Sequence, residues 1–172
     1  MVIGTPNPET DGPQVTCVLS PTGNLDSHYL VLDLNHQGLP DYAPGGLQLQ
    51  VWEGPVALAH HKFPDDNLMG TESETVHWTQ SVSLEGQSLV FEIINGSSTT
   101  WGSFGGQGYL KSSLATALEN LNGYNPEVSA ANSGVGFAGN RVQSLVLRRI
   151  RLTTSTGVTV EDDSPRVVHE LP

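Results

Sequence analysis

The chain has 172 residues, of which 37% are hydrophobic and 15% charged, and its 7 basic and 18 acidic residues give a formal net charge of −11. That length accommodates one sizeable core, while the acidic balance argues against a nucleic-acid phosphate backbone or an anionic bilayer surface as partner. Cys17 is the one cysteine, so an intrachain disulfide and a multi-thiolate metal centre are both excluded.

No apolar run approaches the ~20 residues that a membrane-spanning helix needs, and no membrane insertion is expected. The opening residues show neither the basic nor the apolar region of a secretory signal. Pro6, Pro8 and Pro13 make the opening read as a linker, so the expected organisation is a tail over 1–12 and a single domain over 13–172. The 19 glycines and 11 prolines, together with abundant Ser, Thr and Asn, suit short strands joined by turns better than a helical bundle.

Taken in order, the first strand is expected over Gln14 to Ser20 and the second over His28 to Leu34. Leu47 to Trp52 alternates cleanly, with Leu47, Leu49 and Val51 predicted inward and Gln48, Gln50 and Trp52 outward. Pro55 to Lys62 follows a Glu53-Gly54 turn, and Thr75 to Ser81 sets Val76 and Trp78 on one face. Leu89 to Ile94 aligns Leu89, Phe91 and Ile93 and is expected to stop at Asn95-Gly96, a hairpin signal. Gly102 to Gly108 reads as a flexible glycine-rich loop without the residues of a phosphate cradle.

Leu110, Leu114, Ala117, Leu118 and Leu121 recur at helical spacing before Asn122-Gly123, which admits a short helix near 112–122. The surrounding strands and the Ser and Thr content favour a strand over 108–117 instead. A Gly- and Asn-rich loop is expected over 120–140. Val142 to Thr153 is the longest run, and its inward set changes parity from Leu145 and Leu147 to Ile150 and Leu152, predicting a β-bulge at Arg148-Arg149. Thr154 to Gly157 then turns the chain into Val158 to Glu161 as a hairpin. About eight short strands with turns between them point to an all-β fold, a two-sheet antiparallel sandwich of jelly-roll type.

Catalytic signatures are weak. The sequence holds no nucleophile elbow, zincin helix or dinucleotide fingerprint, and the six histidines show no paired strand spacing for a metal. A small metal-dependent enzyme acting on polysaccharide is the least favoured reading. Asp65, Asp66 and Glu72 form an acidic loop that suits one structural calcium, and no other cofactor is implied.

Aromatic residues make up only 6% of the chain, so each placement matters. Trp52 lies among Gln48 and Gln50 on a face predicted to be polar, and Trp101 sits in a polar loop. A sugar ring stacks its C–H face on an indole while amides and carboxylates bind its hydroxyls. Trp52, Trp101, Gln48, Gln50, Asp41 and Tyr124 are therefore the candidate residues for a polysaccharide or glycan. Five of the seven basic residues, Arg141, Arg148, Arg149, Arg151 and Arg166, gather towards the C-terminus. They read as a solvated face balanced by acidic loops, or as a strip that meets an acidic partner subunit or an anionic glycan.

The stretches 132–142 and Trp-Gly-Ser-Phe-Gly-Gly at 101–106 resemble loop-to-strand segments of bacterial secreted sandwich modules, carbohydrate-binding modules among them. That resemblance implies an extracellular or cell-surface setting and a non-catalytic role. Two functions follow as expectations: a carbohydrate-binding module using exposed aromatics, and a structural module whose edges and arginine strip mediate protein–protein contacts or self-association.

Overall fold

The computed structural model describes residues 1–4, 14–19, 28–34, 47–53, 55–62, 73–99, 102–106, 108, 110–122, 127–129 and 142–172. Among the described residues the chain is all-β, with no helix, and every strand pairing is antiparallel. The sheets are open and do not close into a barrel.

One sheet has the order β10-β2-β3-β4-β5, built from β2 (Gln14–Leu19), β3 (His28–Leu34), β4 (Leu47–Glu53), β5 (Val56–Lys62) and the short β10 (Glu127–Ser129). The registers Leu30↔Val51 and Leu32↔Leu49 set four apolar side chains on one face, and all four are buried. Leu49 and Val51 belong to the inward set that alternation predicted for β4.

The second sheet centres on β7 (Ser88–Ser98), flanked by β6 (His77–Glu85) on one side and by β8 (Gly102–Phe104) and β9 (Lys111–Ala115) on the other. β6 and β7 form a two-residue hairpin at Gly86-Gln87, where Gly86 has φ 63 and Glu85 faces Ser88. Glycine fits the first central position of a II′ turn because it has no Cβ to clash there.

Leu89, Phe91 and Ile93 are buried together, as their spacing implies. Asn95-Gly96 does not end the strand. β7 runs on to Ser98, with Asn95 left-handed at φ 53 and an extra residue accommodated opposite Thr79 and His77. The turn signal is used for a bulge, because β8 supplies a further partner for the strand, with Gly96 opposite Phe104. The expected flexible loop at 102–108 is therefore in part a strand, and Phe104 belongs to the core.

The ambiguous leucine segment resolves as strand. β9 pairs with β7 as Leu89↔Leu114 and Phe91↔Ser112, and the alternative helix near 112–122 does not form. Its leucine spacing fits a strand equally well, since Leu110 and Leu114 are both at even positions, and pairing with β7 decides between the two.

The third sheet has the order β1-β11-β14, from β1 (Val2–Ile3), β11 (Val142–Leu147) and β14 (Arg166–Glu170). Residues 1–4, at the head of the expected linker, are built into this sheet instead. Met1 and Ile3 are buried, Ile3 N donates to Glu74 O at 2.8 Å, and Val76 N donates to Met1 O at 2.8 Å. Residues 5–12 lie outside the described residues. One hydrophobic cluster draws on all three sheets, from Leu30, Leu49 and Val51 through Phe91, Ile93 and Phe104 to Ile3, Val142 and Leu145.

The run 142–153 is not one bulged strand. It divides at Arg148-Arg149, where β11 ends and β12 (Ile150–Thr153) begins in a separate two-stranded sheet with β13 (Thr159–Asp162). Ile150 and Leu152, predicted inward, are exposed. The parity change marks where the chain leaves the core, and among the described residues none of the core cluster comes from the second half of the run.

Candidate interaction surface

β12 and β13 form a hairpin arm that continues the β11–β14 ribbon outward, since Leu147 faces Arg166 in the body and Ile150 faces Asp162 in the arm. Its tip is a three-residue loop. Thr154 N donates to Val158 O and Gly157 N to Thr154 O, both at 2.9 Å, and Gly157 takes φ 81. A left-handed residue at that place closes a three-residue hairpin, and glycine takes the conformation without strain. The Thr154 hydroxyl adds a bond from Val158 N at 3.2 Å. The hairpin expected from Thr154 to Glu161 is thus formed.

Residues directly opposite each other in an antiparallel pair share a face. One face of the arm carries Ile150, Leu152, Val158 and Val160, with Leu152 opposite Val160 at its centre and Asp162 opposite Ile150 at its base. These four side chains are 40%, 60%, 57% and 59% exposed. The other face is an ionic ladder: Arg151 Nε donates to Glu161 Oε1 and Arg149 Nε to Asp163 Oδ1, each at 2.5 Å, above a Thr153–Thr159 hydroxyl pair at 3.2 Å. At the base, Arg166 pairs with Asp162.

The Asp162 carboxyl is held below its ordinary range, first by the backbone N–H of Ser164, which donates at 2.9 Å, then by the Ser164 hydroxyl and Arg166. The Arg149 guanidinium is pushed up by its bond to Asp163 and by the charges of Asp163 and Glu161. Three of the five clustered arginines, Arg149, Arg151 and Arg166, are therefore engaged within the chain, in line with a solvated face balanced by acidic residues.

The arm is amphipathic in the inverse sense to a normal edge hairpin. Its charged face is satisfied internally, and its apolar face is open, with Asp162 at one end of it paired to Arg166. On the order of 400 Å² of apolar side chain stands on that face, a size at which an exposed patch on a monomer often carries an interaction. Among the described residues the other exposed large hydrophobics are Val56, Val167 near the base of the arm in β14, and Leu171 at the far end of that ribbon, beside Gln143. The sequence did hold a signal for this surface. Arg149-Ile150-Arg151-Leu152 and Val158-Thr159-Val160-Glu161 alternate in phase about the turn, and the basic residues of one strand meet the acidic residues of the other.

The residues singled out for sugar binding are distributed differently from the expectation. Gln50 is 2% exposed, so the face expected to be open is covered at the middle of β4. β4 is flanked by β3 and β5, and Trp52 Nε1 donates to Gln50 Oε1 at 3.0 Å, which lets a buried amide retain a hydrogen bond. The Trp52 indole is half-buried. Gln48 shares its parity in β4, opposite Asp33 and Lys62 in register. Trp101, Asp41 and Tyr124, and the calcium candidates Asp65, Asp66 and Glu72, lie outside the described residues. Among the described residues no three His, Cys, Asp or Glu side chains gather in a way that would hold a metal ion.

No protein-family model, curated protein or solved structure matches the chain.

Proposed function

We propose that the protein is a non-catalytic assembly module that docks another protein chain through the apolar face of its C-terminal hairpin arm. One observation carries this reading: Ile150, Leu152, Val158 and Val160 stand exposed on one face of an ordered two-stranded arm whose opposite face is closed by ion pairs. A two-stranded hairpin is marginal in water without a partner surface, so a sequence that specifies both its turn and its ladder, yet leaves its apolar face open, fits an element completed by association. The shared core of the three sheets supports the accompanying proposal that the domain is a two-layer sandwich of jelly-roll type. The setting that suits such a module is a surface protein or filament.

The test replaces all four residues with threonine (Ile150→Thr, Leu152→Thr, Val158→Thr, Val160→Thr), which keeps strand propensity and removes the apolar face. If the face serves only association, the thermal midpoint of the dilute protein stays within about 2 °C of wild type, well under the shift that loss of core burial gives. A fall of ~10 °C or more would show the face covered by the chain itself and would end the reading.

A second reading keeps the glycan. The half-buried Trp52 beside Gln50, with Gln48 on the same strand face, favours it, and Trp101, Asp41 and Tyr124 are its remaining candidates. Affinity electrophoresis on a polysaccharide panel, with Trp52→Ala and Trp101→Ala beside wild type, tests it. Equal retardation of both variants and wild type on a retaining polymer overturns the site.

A further inference from the structure

Resting on the assembly reading, we infer that the partner of the arm is a second copy of this chain, two arms packing apolar face on apolar face about a two-fold axis. Charge distribution is the first argument. Residues 142–172 carry four arginines against four acidic residues and are formally neutral, which leaves the whole charge of −11 on residues 1–141. Two bodies repel each other, whereas two arms meet without net repulsion because Arg149 and Arg151 are already paired within each arm and Asp162, at the base of the apolar face, is paired with Arg166 of β14. An arm projecting from the body lets the neutral surfaces touch while the acidic bodies stay apart.

Surface matching is the second argument. Among the described residues the body offers only Val56 as an exposed large hydrophobic outside the C-terminal ribbon, so the described surface that matches the arm is the arm itself. In an isologous contact the same patch serves both partners. Leu152 and Val160, opposite each other at the centre of the face, would meet their symmetry mates. Stacked pairs of strands at about 10 Å form a small two-layer core of the kind found between sheets.

Area is the third argument, and it sets the size class of the contact. Two faces of about 400 Å² bury roughly 800 Å² of apolar surface, below the 1,200–2,000 Å² of a standard stable interface. The dimer is therefore of the weak, transient class and concentration-dependent. Salt sharpens the distinction. Screening of the acidic bodies strengthens this dimer, whereas an association held by ion pairs would weaken.

The experiment is sedimentation equilibrium of the whole chain from about 10 μM to 1 mM, at low salt and near 0.5 M salt, where screening is nearly complete. Wild type should move from monomer towards dimer with concentration, and association should tighten by about five-fold or more in high salt. Leu152→Asp places a charge at the centre of the contact and should leave a monomer throughout. Leu152→Thr, which keeps the strand, should weaken association about ten-fold, while Thr153→Asp on the polar face should leave it unchanged. A monomeric wild type at every concentration and salt overturns the second copy as partner. So does association that survives Leu152→Asp, or association that weakens in salt. If wild type is monomeric and the four-threonine variant keeps its thermal midpoint, only this inference falls and the arm stays open to a different protein. If that variant loses its midpoint, both fall.

Discussion

Phe104 and Gly96 offer a direct measure of how β8 is held on β7. They are opposite each other in register, and the Phe104 ring is buried in the core. A Cβ at Gly96 would lie 2.1 Å from Cδ2 of that ring, 2.2 Å from Cε2 and 2.6 Å from Cγ. The φ of Gly96 is outside the left-handed region, so alanine suits the backbone and the ring alone decides the outcome. Moving the ring within a packed core costs about 1–3 kcal/mol. Expelling it would forfeit about 1.5–3 kcal/mol of burial. Lower chain entropy in the unfolded state returns about 0.4–1 kcal/mol to the alanine variant. Gly96→Ala is thus expected to destabilise by about 2 kcal/mol.

Phe104→Leu vacates the space above Gly96 at a cost of about 1–2 kcal/mol, part of the full Phe→Ala penalty. In the double variant the leucine leaves room for the new methyl, so the combined loss should fall short of the sum by at least ~1 kcal/mol. Urea unfolding of the four proteins gives the cycle, provided the slopes agree. Additivity within about 0.5 kcal/mol, or a neutral Gly96→Ala, would refute the packing argument.

Other positions give separate tests. Gly105→Ala should be more damaging than Gly86→Ala: a Cβ at Gly105 meets Ile93 O at 2.4 Å, whereas at Gly86 it meets nothing within 4 Å, and both have positive φ. Chemical denaturation should show about 1 kcal/mol for Gly86→Ala and ~3 kcal/mol or more for Gly105→Ala; equal losses would contradict the steric account. Ser73, exposed at φ 63, should be neutral or gain up to about 1 kcal/mol as glycine, and a clear loss would count against its left-handed conformation. Because the Asp162 carboxyl is held below its ordinary value of 3.8, its contribution is complete above that value and disappears as pH falls through its value in the folded arm. Amide exchange of Ser164 and Arg166, corrected for the intrinsic rate, should accelerate between about pH 5 and 2, with Asp162→Asn removing the dependence; a flat wild-type profile would exclude the effect.

Much of the architecture was legible because alternation is local. A strand buried on one face must repeat every two residues, and β3, β4 and the Leu89-Phe91-Ile93 face of β7 follow that repeat without reference to neighbours. Local signals failed where a neighbour decided the outcome. Asn95-Gly96 carries the signature of a hairpin and sits inside a strand, because β8 lies alongside to pair with it. Gln50 looked like a solvent-facing amide and is buried with the Trp52 indole as donor.

The C-terminal ribbon shows the same division at the surface. Composition and periodicity pointed to an all-β chain, which the described residues bear out, and to a turn at Thr154 to Gly157 that makes a hairpin with Val158 to Glu161. They did not determine which side of that hairpin faces protein. Ile150 and Leu152 have the pattern of core residues, and only the division at Arg148-Arg149 carries them beyond the last layer that would cover them. Periodicity is a property of the strand itself, whereas burial depends on what the rest of the chain brings to either face.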